Sequence, residues 1–258
     1  MTSTGVVGPI TWGALFPGQT QPPLPPPPQH ARTIVLDPGH GGTDPGAVLG
    51  ARRESDDNLR LALAVQRLLQ AQGQRVIMTR STNVNVSLAE RSAIFNRNNA
   101  DIFVSFHRNA AGSTANGVEN FVFTTASAGT VQNAFDVLDG IIDVGIQRNR
   151  GVRRGNFAVI RSTNAPSMLL EMGFITNTRD NQLFDQNFNA YAAAIARGIM
   201  TALSTPRPPL PHTFYTVTAS DTLPAIANRF GTTQAALMQL NKLSGTGLIT
   251  GQILKIPR

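Results

Sequence analysis

Apolar positions change their period several times along the 258-residue chain, and the changes predict alternating strands and helices. Thr33–Asp37 (TIVLD) is a short apolar, strand-like run. Over Asp56–Gln72 the apolar residues Leu59, Ala62, Leu63 and Leu69 recur at helical spacing, and Gly73 follows where a helix can close on a left-handed residue. Arg75–Thr79 reads as a strand. Ser87 and Glu90 have the spacing of a capping box, in which each side chain takes the other's free N–H at a helix start. Asp101–Phe106, Val118–Phe123, Phe157–Ile160 and Met168–Leu170 are further strand candidates, and Val131–Arg148 and Phe188–Leu203 further helices. This alternation predicts an α/β fold, a mostly parallel sheet flanked by helices.

Two proline-rich stretches divide the chain. Pro17–Pro28 and Pro206–Pro211 should be extended spacers, because proline fixes φ and removes a backbone donor. The expected organisation is a segment 1–16, a linker 17–30, a body 31–204, a second linker 205–212 and a small module 213–258. The 41% hydrophobic content suits globular cores. No run of eighteen apolar residues occurs, so no membrane-spanning helix is expected. The N-terminus lacks the basic and apolar regions of a secretory signal, which leaves a cytoplasmic protein, one released by another route, or a truncated one.

Charge narrows the partners. The net charge is +7, with 17 arginines against 14 acids in residues 31–203, and four cations against one acid in residues 212–258. A basic surface suits anionic partners or serves solubility alone. No basic cluster interleaved with aromatics occurs, so nucleic acid is not favoured. With no cysteine, any metal must be held by His, Asp or Glu.

Candidate chemistry lies at strand ends. Asp37-Pro-Gly-His40-Gly-Gly follows the first strand, and its glycines permit a tight loop that leaves His40 uncrowded. His107 follows the DIFVSF strand and Glu171 follows SMLL. Residues just past the C-terminal ends of parallel strands converge on one edge, so these three are expected to meet. Each also has a plain structural reading, as a hydrogen-bonded loop residue or, for Glu54 in RRESDDN, as part of a solvated charge run. Spacing alone does not select Glu54 over Asp56 or Asp57. Glu171 lies among Leu169, Leu170, Met172 and Phe174, where a carboxylate needs a partner or a raised pKa. Asp37 either orients His40 or holds the turn.

The blocks LDPGHGG, RRESDDNL, VIMTR, SFHRNA and LLEMGFITN, in this order over residues 32–203, resemble the zinc N-acetylmuramoyl-L-alanine amidases. The resemblance implies one Zn2+ on His40, Glu54 and His107, with Glu171 as catalytic acid/base and Asn109 either positioning substrate or capping the surface. It implies hydrolysis of the amide between the lactyl group of N-acetylmuramic acid and L-alanine of peptidoglycan. With only 63 residues between His107 and Glu171, an inserted blocking helix is not expected and the site should be open. Residues 213–257 resemble a LysM module of βααβ form, which implies binding to GlcNAc-containing glycan. Asp221 and Thr233 are its expected N-caps, and Pro224 should fit the first helical turn. The segment GVVGPITWGALF resembles the end of a peptidoglycan-binding domain. These readings place a monomer in the cell wall, periplasm or extracellular space, as autolysin or endolysin. The competing readings are a non-catalytic wall-binding protein and a zinc hydrolase of another bond.

Overall fold

The structure, a computed structural model, describes residues 31–145, 148–204 and 210–258. The segment 1–16, the first spacer 17–30 and residues 205–209 of the second lie outside the described residues. The elements run β1 (Thr33–Pro38), β2 (Val48–Leu49), β3 (Arg52–Arg53), α1 (Glu54–Ala71), β4 (Arg75–Met78), α2 (Leu88–Arg97), β5 (Ile102–Asn109), β6 (Val118–Phe123), α3 (Ala128–Ile142), β7 (Asn149–Gly155), α4 (Ala158–Arg161), β8 (Ser167–Phe174), α5 (Thr178–Gln186) and α6 (Phe188–Leu203). The C-terminal module follows as β9 (His212–Thr216), α7 (Leu223–Arg229), α8 (Gln234–Leu240) and β10 (Gln252–Pro257).

Eight strands form one sheet in the order β4-β1-β5-β8-β6-β7-β10-β9. Strands β4, β1, β5 and β8 are parallel neighbours, β6 runs antiparallel to β8, and β7 is parallel to β6. Side chains alternate between the two faces, as the pleat requires. Ile34, Leu36, Val104, Phe106, Met168 and Leu170 point into a core with α1, α3 and α6, while Val35, Phe103, Phe121 and Leu169 point to the side of α2 and α4. Burial on both faces explains why these strands read as continuous apolar runs.

Several local expectations change. Phe157–Ile160 is the cap and body of the short helix α4, and the neighbouring strand is Asn149–Gly155. The helix expected over Val131–Arg148 runs instead from Ala128 to Ile142, with Ser127 accepting from Thr130 N as its cap. Ser87 does cap α2 through Glu90 N, but the Glu90 carboxylate takes Arg97 at 2.7 Å. In the module the cap of α7 is Thr222, one residue after Asp221; Asp221 instead accepts from Thr218 N and Tyr215 Oη. Thr233 caps α8, and Pro224 sits in the first turn of α7.

The C-terminal module has its own core, in which Val217, Leu223, Ile226, Leu237, Leu254 and Ile256 meet. It is also docked on the body. Strand β10 pairs antiparallel with β7, Gln252 opposite Arg153 and Ile253 opposite Val152, so the module's two-stranded antiparallel ribbon extends the body's sheet. Phe214 stacks on Phe135 of α3 with ring centroids 5.7 Å apart, and His212 Nε2 meets Gln132 Oε1 at 3.0 Å. Lys255 pairs with Asp139 of α3 at 2.8 Å, and Lys242 with Asp143, the C-cap of that helix, at 2.6 Å.

Candidate metal and catalytic site

The end of β1 and the loop after it carry His40 to the ends of the parallel strands. His40 has φ 60°, a left-handed conformation uncommon for a residue with a side chain. Two arginines hold this loop. Arg91 donates to Pro38 O and His40 O at 2.7 and 2.8 Å, and Arg80 donates to Pro38 O, Gly39 O and Ser55 O. Gly39 is required here by close approach, because a Cβ at that position would fall inside the His107 imidazole.

His40, Glu54 and His107 come together. One ligand atom from each lies within 4.8 Å of the others. His107 Nδ1 is 2.9 Å from Glu54 Oε1, and His40 Nε2 is 3.3 Å from the same oxygen. The rings stand edge to face, centroids 5.0 Å apart. Glu54 opens α1, where the helix's free N–H groups favour an acid. Its carboxylate also accepts from Ala47 N at 2.8 Å and Arg108 N at 3.1 Å. Asp44 holds the other nitrogen of His40, Nδ1, at 2.8 Å. Asp37 takes no part in that contact: it accepts from Thr79, Ser105 and Arg91, and so ties the strand ends together.

Charge follows these contacts. Burial pulls the His40 imidazole down, but hydrogen bonds and charge from Glu54 and Asp44 outweigh it and raise its pKa to about 9. Burial raises Glu54, yet the His107 and His40 contacts overcome it and hold the carboxyl well below its ordinary range.

His107 and Glu171 lie within their strands and not past them, because pairing carries β5 on to Asn109 and β8 to Phe174. Glu171 sits opposite His107 on β5 and opposite Glu119 on β6. Its Oε2 is buried and has no hydrogen-bond partner. Burial, reinforced by the charges of Glu54 and Glu119 and opposed by His107 and His40, pushes it up to about 7. Asn109, two residues past His107, donates to Glu119 Oε1 at 2.7 Å. A cavity of about 380 Å³ opens on the α2 and α4 side, lined by His40, His107, Asp44, Leu88, Phe157 and Leu169 among others; Glu171 and Asn109 lie beside it and do not line it.

Sequence reasoning missed Asp44, Glu119, Arg80 and Arg91. For Asp44 a signal existed, an acid four residues after a candidate ligand. Glu119 carried a weaker one, a lone acid inside an apolar strand.

His40, Glu54 and His107 thus form a group that could hold a metal ion at the carboxyl edge of a parallel sheet. Residues 34–203 match the family model for N-acetylmuramoyl-L-alanine amidase, and residues 215–257 match the LysM domain. The chain is 35% identical over 173 residues to the N-acetylmuramoyl-L-alanine amidase CwlM of Bacillus licheniformis, covering 66% of this chain and 67% of that one. Among solved structures, the amidase of Clostridium difficile 630 aligns with TM-score 0.65 and 32% identity, over 69% of this chain and 99% of that one. The catalytic domain of CwlV from Bacillus (Paenibacillus) polymyxa var. colistinus aligns at 0.62 and 35%, over 67% and 98%. The chain belongs to the N-acetylmuramoyl-L-alanine amidase family and carries a C-terminal LysM domain.

Proposed function

We propose that this amidase is a zinc hydrolase that cuts the bond between the lactyl group of N-acetylmuramic acid and L-alanine in peptidoglycan, while the LysM domain holds GlcNAc-containing glycan of the wall. The observation that carries the reading is the meeting of two imidazoles and one carboxylate beside a buried, unpartnered carboxyl. The donor set fits zinc: nitrogen and oxygen ligands, three in number, as catalytic sites use, with Asp44 on the far nitrogen of one histidine. His40, Glu54 and His107 would hold the ion, and when bound it supplies an acidified water and polarises the scissile carbonyl.

The chain's own residues do the rest. Glu171, with a pKa of about 7, is poised to take a water proton near neutral pH and return it to the leaving L-alanine nitrogen. No internal donor occupies its Oε2, which leaves that oxygen free to accept the proton. Asn109, tied to Glu119, stands beside it to position substrate. The half-exposed Phe157 and the exposed Leu88 give the cavity apolar walls that keep bulk water from part of the site. No described helix is long and apolar enough to cross a membrane, and work at the wall or outside the cell follows from the substrate.

Incubation with purified peptidoglycan tests the reading. New N-terminal L-alanine without new reducing sugar is expected. Release of reducing sugar, or binding without cleavage, would overturn it in favour of another bond or a wall-binding role. Sedimentation with purified wall, with and without a competing GlcNAc oligomer, tests the LysM assignment.

A further inference from the structure

A chain of polar contacts joins the LysM domain to the strand beside Glu171. Glu119 lies directly across from Glu171 in the antiparallel β6–β8 pair, and residues so paired point to the same face. Glu119 is 1% exposed, so its charge needs partners. Asn109 Nδ2 donates to Oε1 at 2.7 Å, the Arg153 guanidinium donates to Oε2 at 2.9 Å, and Arg150 Nε pairs with Oε2 at 3.3 Å. Arg153 has a second commitment. It donates to Thr250 O at 3.2 Å, in the turn before β10, beside the backbone bond from Arg154 N to Gly251 O. That turn belongs to the LysM domain, which the Lys242–Asp143 and Lys255–Asp139 pairs hold against α3.

We propose that Arg153 is a positioning residue through which the docked LysM domain fixes Glu119 and Asn109 beside Glu171, making the domain part of the catalytic unit as well as a wall anchor. The inference rests on the amidase reading above. A guanidinium held at both ends keeps its planar fork in one orientation. Released at Thr250, it samples other rotamers, and Glu119 keeps Arg150 but loses the closer of its two fixed counter-charges. Asn109 moves with it, because its amide is tied to the same carboxylate.

The test uses the full chain and a soluble N-acetylmuramyl peptide that carries no GlcNAc for the LysM domain to hold. Arg153→Ala and the undocking pair Lys242→Glu/Lys255→Glu should each lower kcat about tenfold, with KM changed by less than about twofold. Faster hydrogen exchange at the Arg154 amide reports the undocking. Arg153→Lys should recover part of the loss, and adding Asp139→Lys/Asp143→Lys to the undocked pair should recover most of it. The Asn109 side-chain amide resonances should shift in the same variants, a readout that needs no turnover. Parental kcat and unmoved Asn109 resonances in the undocked protein would overturn the proposal. An inactive parent whose Asn109 resonances still respond would sink the amidase reading and leave the coupling standing.

Discussion

The corner around Glu54 and the strand around Glu171 place two carboxyls at the same sheet edge in opposite states. Glu54 is 4% exposed yet has donors on both oxygens, from two backbone N–H groups and the two imidazoles. Glu171 has a buried oxygen without a donor and acid neighbours at Glu54 and Glu119. Burial acts on both in the same direction; the donor count decides which one stays ionised. The proposed roles match these states, with one corner to hold a cation and the other to exchange a proton.

The largest way to sharpen this contrast is to delete each carboxyl in turn. Glu171→Ala should cut peptidoglycan turnover by about 10²- to 10⁴-fold while bound zinc is retained. Glu54→Ala should lose the activity together with the metal, and so should chelation. Elemental analysis beside product release separates the two, and full activity in Glu171→Ala would remove the proposed base.

Acid–base behaviour gives the next effect. The base must be ionised, so kcat/KM should rise with pH as Glu171 loses its proton. The midpoint should lie below the value of about 7 that burial gives it in the metal-free protein, because a bound cation favours the carboxylate. Stability of the chelated protein should carry the two carboxyls with opposite sign. The folded pKa of Glu171 is raised, so its contribution is present below the ordinary carboxyl range and lost as pH climbs to about 7, a loss of about 3 kcal/mol. Glu171→Gln should flatten that decline in denaturant titrations. The folded pKa of Glu54 is lowered, so its contribution is present above its ordinary range and lost as pH falls. Parallel slopes in the two variants would break the comparison.

A smaller effect should come from Asp44, which touches only His40 among the three proposed ligands. Asp44→Ala should weaken zinc binding by about 10- to 100-fold without removing it, as competition against a chelator of known affinity can measure.

Much of this edge could be read from the chain because parallel strands buried on both faces are apolar runs, and the residue after each run falls on the same rim. His40, His107 and Glu171 were found that way. Glu54 was not, since it reaches the rim from the start of a helix after the short β2–β3 hairpin, and only the resemblance selected it. Strand β7 (NRGVRRG) was missed because Val152 is its only large apolar residue; pairing with β6 and β10 makes it a strand. The end of α3 was overextended because Ile142 and Val144 continue the apolar period past Ile141, whereas the backbone leaves the helix at Asp143 and takes φ 97° at Gly145. The docking of the LysM domain was hidden for a related reason. Lys242, Lys255, Asp139 and Asp143 look like ordinary surface charges until the fold brings them together.

The docked β9–β10 ribbon also bears on solubility. Without β10, strand β7 would end the sheet with open N–H and C=O groups, a template for another chain. A protein cut before His212 would present that strand to its neighbours in solution. With the module in place the border of the sheet passes to the five-residue β9, two residues shorter than β7.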